Sequence, residues 1–317
     1  MPPHFSRRPC LGCDHQTRSG RLGEFQLAIH GEIPIHFRSA GITCRGVLRS
    51  PDPSVSRHQT IVLCPGLGGT QDSPVVQRAV TSFSAAGYNT FTFDYRSFGA
   101  SDGQPRQVAS VAAQLHDIEA AVGALSHQET IDADQLVLWG TSLGGAHAIV
   151  SADATKARAV IAQMPFVGVA GRPRAIDAAR FGAVIAADRV RRMLRLPPCY
   201  IPLVARPGHL AAMTTDHADS VVDSFRGTSW NNEVAAGVLL DLSRYRPVSH
   251  AAQTPPLLVC IGEDDSLTPR DLIDALVADA PDCKLEVLSI GHFGLDGPAA
   301  YDALSAVQID FLDHVLR

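Results

Sequence analysis

The feature that most constrains this 317-residue chain is V-L-W-G-T-S-L-G-G-A-H, residues 137–147. An apolar run of strand character ends at a glycine; one serine follows, then two more glycines and a sequence of helical character. A hydroxyl at the tip of so sharp a strand-to-helix turn sits on strained backbone. Its neighbours two residues away on either side must be small for strand and helix to pass closely. Gly140 and Gly144 supply that room around Ser142, which gives G-x-S-x-G with a strand before it and a helix after it. A serine in such a turn can also cap a helix or cradle a phosphate, so other residues must decide between the uses.

The strand-then-helix unit recurs along the chain. Strand-like segments fall at 33–37, 43–48, 60–64, 90–94, 136–139, 159–163, 257–261 and 285–288, with helical patterns at 74–86, 108–125, 271–278 and 299–315. Short apolar strands alternating with helices predict an α/β fold: a mostly parallel eight-stranded sheet with helices on both faces, its first two strands an antiparallel edge pair. From about 165 to 254 the alternation stops, and helix-compatible sequence is interrupted by Pro197-Pro198, Pro202 and Pro207-Gly208. The expected organisation is a loosely held arm over 1–22, a core built from 23–164 and 255–317, and a helical lid over 165–254. The chain has no internal repeat and no low-complexity tract.

Charge and cysteine usage narrow the function. A net charge of -5 and a pI near 6.2 leave no basic excess to neutralise phosphates, which excludes nucleic acid as the main partner. Arg189, Arg191, Arg192 and Arg195 are expected on a solvated helix face. Seven scattered cysteines fit a reduced, cytoplasmic setting. C-L-G-C-D-H, residues 10–15, invites zinc, but no second ligand pair completes a tetrahedral site, so neither a metal nor a cofactor is expected. The basic start M-P-P-H-F-S-R-R-P leads into no apolar stretch, and no window approaches the length of a membrane span, so neither a leader nor a span is expected. A homodimer is left open.

A serine hydroxyl is a weak nucleophile at neutral pH and needs a base to take its proton and an acid to orient the base. C-I-G-E-D-D-S-L-T-P, residues 260–269, places Asp264 and Asp265 at the carboxyl end of a strand. L-S-I-G-H-F-G, residues 288–294, places His292 in a glycine-flanked loop after the last strand. The 27 residues between Asp265 and His292 leave room for one helix and one strand, so the two loops can meet at the same sheet edge. An oxyanion hole needs two backbone N–H donors. The glycine-rich loop that ends I-V-L-C-P-G-L-G-G-T, residues 61–70, offers Leu67, and the residue after the serine offers Leu143. The loop lacks the G-x-x-x-x-G-K-[ST] of a phosphate cradle.

These pieces resemble the α/β-hydrolase superfamily from about residue 31 to 317. P-G-L-G-G is similar to its oxyanion loop, F-D-Y-R-S-F-G-A-S-D-G (93–103) to the loop after its fourth strand, and G-T-S-L-G-G to its nucleophile elbow. G-E-D-D-S-L-T-P and G-H-F resemble its acid and histidine loops. In that family the acid stands three residues after a glycine and four before a proline, which implies Asp265 rather than Asp264. Pro65-Gly66 replaces the usual His-Gly, a change that leaves a backbone donor intact. D-Y-R-S-F-G-A-S-D-G-Q-P-R (94–106), I-A-Q-M-P-F (161–166) and S-W-N-N-E-V (229–234) look like the branch of fungal polyketide transferases and related bacterial hydrolases.

The resemblance implies a serine hydrolase that cleaves an ester or thioester of a hydrophobic acyl group through an acyl-enzyme, with Ser142, Asp265 and His292 as its triad. The alternatives are an acyltransferase using the same triad, with a polyketide-type acyl donor, and a non-catalytic binding protein that keeps the fold. Phe166, Phe181, Leu203, Met213, Phe225 and Trp230 are available to line an acyl pocket, with Phe166, Met213 and Trp230 as the candidate substrate contacts. They are equally available to form the insertion's own core. Trp230-Asn231-Asn232 suits either a substrate contact or a capped helix start.

Overall fold

The computed structural model describes residues 29–169, 175–293 and 297–317. The expected arm, with Cys10, Cys13 and His15, lies outside the described residues. The elements of the sheet and its helices are β1 (Ile29–Ser39), β2 (Ile42–Pro51), β3 (Thr60–Cys64), α1 (Pro74–Ala85), β4 (Asn89–Asp94), α2 (Val111–Leu125), β5 (Leu136–Thr141), α3 (Leu143–Thr155) and β6 (Ala159–Gln163). The insertion then contributes α4 (Ala175–Met193), β7 (Tyr200–Ile201), β8 (Val204–Ala205), β9 (Met213–Thr214), α5 (Ala218–Ser224), β10 (Val234–Ala235) and α6 (Val238–Arg244). β11 (Leu257–Gly262), α7 (Arg270–Asp279), β12 (Cys283–Leu288) and α8 (Pro298–Val315) return to the sheet.

Eight strands form one sheet in the order β1-β2-β4-β3-β5-β6-β11-β12. β1 and β2 are antiparallel, β2 is antiparallel to β4, and every pairing from β4 to β12 is parallel. The fold is the expected α/β architecture. β3, β4, β5, β6 and β11 are buried along their whole length, as central strands covered on both faces must be. Alternation of side chains divides the interior into two cores. Val62, Cys64, Leu136 and Leu138 face α2, α3 and α7 through Ile118, Ala121, Ile149, Ile273 and Leu276. Ile61, Leu63, Val137 and Trp139 face α1 and α8 through Val76, Val80, Phe83, Leu304 and Phe311.

Local chemistry sets the element ends. α1 opens on Pro74, whose missing N–H falls where a helix needs none, and buries Val76, Ala79, Val80 and Phe83 at the spacing of one face. Truncating Phe83 to alanine removes a buried ring at a cost of about 3–5 kcal/mol. α2 starts at Val111 rather than 108 because the preceding backbone is engaged elsewhere: the Gln107 carbonyl accepts from Ala235 N at 2.9 Å. That bond ties the core to the insertion.

The insertion differs from the all-helical expectation. Alongside its helices it carries four two-residue strands, β7 paired antiparallel with β10 and β8 parallel with β9. The prolines at 197, 198, 202 and 207 cannot donate to a ladder, which keeps each pairing this short. Side chains take over where ladders stop. Buried Asp188 of α4 accepts from Cys199 N at 2.8 Å and Gly237 N at 3.1 Å. Asn232 accepts from Val204 N at 2.8 Å and donates to Val204 O at 2.9 Å. Among the described residues no helix is long and apolar enough to cross a membrane.

Candidate active site

Ser142 stands between β5 and α3 with φ 52° and ψ -120°, a conformation that costs a side-chain-bearing residue about 1–3 kcal/mol. The surrounding backbone leaves no alternative. A Cβ on Gly144 would lie 2.0 Å from the Cys64 carbonyl oxygen, and one on Gly140 would lie 2.1 Å from the Gly144 carbonyl oxygen. The turn is held from below, where Ser142 N donates to Gln163 O and Ser142 O accepts from Phe166 N, both at 2.9 Å.

Asp265 follows β11 and His292 follows β12, so the parallel pairing of these strands brings the two loops side by side. His292 Nδ1 donates to Asp265 Oδ2 at 2.8 Å, and Ser142 Oγ donates to His292 Nε2 at 3.1 Å. Asp265 also accepts from the Thr268 hydroxyl at 2.7 Å and from Leu267 N at 2.8 Å. Burial of its carboxyl acts to raise the pKa, but the His292 hydrogen bond and charge, with Thr268 and Leu267, outweigh it and hold the group below the ordinary value of 3.8. The side chains of His292 and Asp265 are 9% and 1% exposed, so this pair is shielded from bulk water. Asp264, the other acidic candidate, is exposed and makes no bond to the histidine.

The loop after β3 passes directly beside the serine, since a Cβ on Gly66 would meet Ser142 Cβ at 3.4 Å. Among the described residues neither Leu67 N nor Leu143 N donates to a protein acceptor, which leaves both amides free beside Ser142. Buried Asp94 steadies this loop. Its carboxylate accepts from Gln71 N at 2.7 Å, Gln71 Nε2 at 2.8 Å and Ala100 N at 2.8 Å. The glycine of D-Y-R-S-F-G is required here, because a Cβ on Gly99 would lie 2.3 Å from the Asp94 carboxyl carbon.

Ser142 and His292 open on a cavity of about 290 Å³, walled by Leu203, Val204, Met213, Val221, Phe225 and Trp230 of the insertion and by Pro74, Val75 and Phe293. Trp230 and Phe225 stack with ring centroids 4.5 Å apart. Met213 and Trp230 are therefore at the cavity, as are Leu203 and Phe225. Phe166 and Phe181 are not among its walls. Phe166 stacks on Tyr245 at 6.3 Å, where it anchors the start of the insertion to its end. The structure thus places the Phe166 ring beside Tyr245 and outside the walls of this cavity.

Residues 56–292 match the model of the family described as serine aminopeptidase, S33. The chain belongs to this family of hydrolases. The quorum-quenching protein AidA of Acinetobacter baumannii (strain MDR-ZJ06) is 32% identical over 293 residues, which cover 90% of this chain and 95% of that protein. Polyketide transferase ATR5 of Stachybotrys chlorohalonatus is 27% identical over 307 residues, 92% of this chain and 100% of that one. The solved structure of DcsB in complex with its substrate analogue superposes with a TM-score of 0.78 at 20% identity, over 90% of this chain and 99% of that one, a likeness of fold. The protein is thus an α/β-hydrolase enzyme.

Two features of the hydrolase were missed by sequence reasoning. Asp72 accepts from Ser229 N at 2.7 Å and Ser229 Oγ at 2.6 Å, latching the loop that carries Leu67 to the segment that carries Trp230. The signal was weak, since an aspartate in a glycine-rich loop reads as turn chemistry. His147, five residues after the serine, is fully buried, where it accepts from the Tyr245 hydroxyl at 2.9 Å and donates to Gln114 Oε1 at 3.1 Å. Burial pushes its pKa down to about 3, so it is a neutral rivet between α2, α3 and the insertion rather than a base. Among the described residues no cluster of three or more histidine, cysteine or acidic side chains could hold a metal.

Proposed function

We propose that the hydrolase cleaves an ester or thioester of a hydrophobic acyl group through an acyl-enzyme on Ser142. The observation that carries this is the unbroken hydrogen-bonded line from Asp265 through His292 to Ser142, ending at an apolar cavity. His292 takes the Ser142 proton as Oγ attacks the carbonyl carbon, and Asp265 holds the imidazole tautomer and stabilises the imidazolium. The amides of Leu67 and Leu143 receive the oxyanion, each donor being worth about 3 kcal/mol in the transition state. His292 then gives the proton to the leaving oxygen or sulfur. Water, activated by the same imidazole, releases the acid.

Residues 165–254 act as the lid in this reading, with Met213 and Trp230 against the acyl chain. A cavity of about 290 Å³ stands at the small end of ligand pockets, which favours a short or medium acyl chain. Release by an alcohol in place of water is the acyl-transfer reading, favoured by the likeness to a polyketide transferase. A purely binding role leaves unexplained why a strained serine, a shielded imidazole and two free amides converge on one point.

The test is the rate of hydrolysis of p-nitrophenyl esters of increasing acyl length, with the matching thioesters. The reading expects rates that rise with chain length until the cavity is filled and then fall, with nearly all turnover lost in Ser142→Ala. Wild-type rates in Ser142→Ala would contradict it.

A further inference from the structure

Helix α4 of the insertion reverses the usual amphipathic arrangement. Asp188 is buried on its inner side, where it holds Cys199 N and Gly237 N. The opposite side carries Ile176, Ala179, Ala183, Ala186, Val190 and Met193, spaced three and four residues apart, and all six are exposed. A stripe with this spacing ordinarily faces a core. The cap that ends the helix leaves further apolar side chains in water. Leu196 N donates to Arg191 O at 2.8 Å and Arg195 N to Arg192 O at 3.0 Å, the paired bonds of a left-handed cap. Arg195, with φ 57°, stands where glycine would be unstrained. Leu196, which in such a cap commonly packs on its own helix, is exposed, and Met193 and Leu194 are 83% and 65% exposed.

Charge surrounds the same apolar surface. From 178 to 196 the chain holds five arginines, Arg180, Arg189, Arg191, Arg192 and Arg195, and one acid, the buried Asp188. Arg192 lies 3.9 Å from Asp188, and Arg191 Nε donates to Pro197 O at 2.6 Å. Among the described residues Arg180, Arg189 and Arg195 have no side-chain hydrogen-bond or ion-pair partner. In a chain of net charge -5 this segment is a cationic island.

We propose that the outer face of α4 and the turn after it, R-V-R-R-M-L-R-L (189–196), dock on an anionic lipid surface, with the helix lying in the interface rather than crossing it. Val190, Met193, Leu194 and Leu196 enter the boundary between headgroups and acyl chains. The arginines, on their long apolar stems, keep their charge at the headgroup phosphates. Charge selects this occupant over a second copy of the chain. Stripe against stripe would gather the arginines of two helices while Asp188 stays buried in both. A nucleic acid would meet the arginines and leave the apolar side chains in water. Docking is separate from the reaction at Ser142, but it sets the lid beside the membrane: Leu203 and Val204, which wall the cavity, follow within eight residues of Leu196.

The experiment floats the full chain with vesicles of phosphatidylcholine alone and of an equal mixture with phosphatidylglycerol. Mixed vesicles should bind the protein at least about tenfold more tightly than neutral ones, and salt at about 0.5 M should remove most of that advantage. Arg189→Gln/Arg195→Gln should weaken binding to mixed vesicles about twentyfold, since each arginine near such a surface is worth about fivefold. Met193→Ser/Leu194→Ser should weaken it about tenfold or more by removing the apolar anchor. All four side chains are exposed, so both variants should keep the wild-type circular dichroism and melting temperature. No binding, equal binding to the two vesicles, or binding unmoved in either double variant overturns the proposal. So does a dimer in sedimentation velocity that has no vesicle affinity and dissociates in Met193→Ser/Leu194→Ser, which gives the face to a second copy. Ser142→Ala should float like the wild type, so failure here leaves the acyl-enzyme reading untouched.

Discussion

At the carboxyl ends of β3 and β5 the backbone fills the space around Ser142: Gly144 would bring a Cβ to 2.0 Å from the Cys64 carbonyl, and Gly66 packs against Ser142 Cβ. In the insertion the ladders are two residues long, and the chain is positioned by separable polar bonds: Asp188 to Cys199 and Gly237, Asn232 to Val204, Asp72 to Ser229. The first arrangement tolerates almost no change, because moving one atom moves both strand and helix. The second can lose one bond and keep the rest. On the proposed function, the reaction geometry sits where packing is tightest, and the acyl chamber where the structure can vary.

The sharpest way to separate the two regions is to remove function from the first while leaving its packing alone. Asp265→Asn keeps the shape but removes the charge and puts an NH2 donor where a carboxylate oxygen fixes the His292 tautomer, and should lower kcat by about 10⁴. Steady-state kinetics on a short ester checks this. The same substitution has a pH signature. The Asp265 carboxyl is held below 3.8 in the folded state, so the stability it contributes is complete above its unfolded value and is lost as pH falls through its folded value. The variant should lack that acid-limb loss, as seen by denaturation at successive pH values below about 5.

Gly144→Ala breaks the packed region directly. Its Cβ meets backbone carbonyl atoms rather than a flexible side chain, so strand and helix must separate. The expected outcome is a loss of more than about 3 kcal/mol in unfolding free energy together with loss of activity, measured by denaturant titration with kinetics on the folded fraction.

Asp72→Asn addresses the second region and should have the smallest effect. It weakens the charge-assisted bonds to Ser229. Stability should fall by about 1 kcal/mol, and KM for longer acyl chains should rise by about two- to tenfold while kcat holds. An equal fall in kcat for every chain length would show instead that the latch governs the oxyanion loop.

Legibility in the sequence follows the same division. The sheet, its helices and the order serine, acid, histidine were legible because strand period and glycine spacing are set by backbone sterics: Gly140 and Gly99 are required by contacts with Gly144 and Asp94, close in sequence, and Gly144 by the Cys64 carbonyl at the end of the neighbouring strand. Asp265 could be distinguished from Asp264 only by a family spacing; the structure separates them by burial and by partners such as Thr268. The insertion was less legible. The two-residue strands are too short to show a period, and Asp188, Asn232 and Asp72 act on backbone 11, 28 and 157 residues away. The place of Phe166 was illegible for the same reason: an aromatic after β6 looks the same in sequence whether it faces a cavity or stacks on Tyr245, 79 residues later.

The central claim is that Ser142 is an activated nucleophile. Intact-mass measurement after treatment with a fluorophosphonate probe tests it most directly, comparing wild type with Ser142→Ala. The account predicts one covalent adduct on the wild type, located on Ser142, and none on the variant. A folded wild type that takes up no probe, or an adduct that persists in Ser142→Ala, would contradict it.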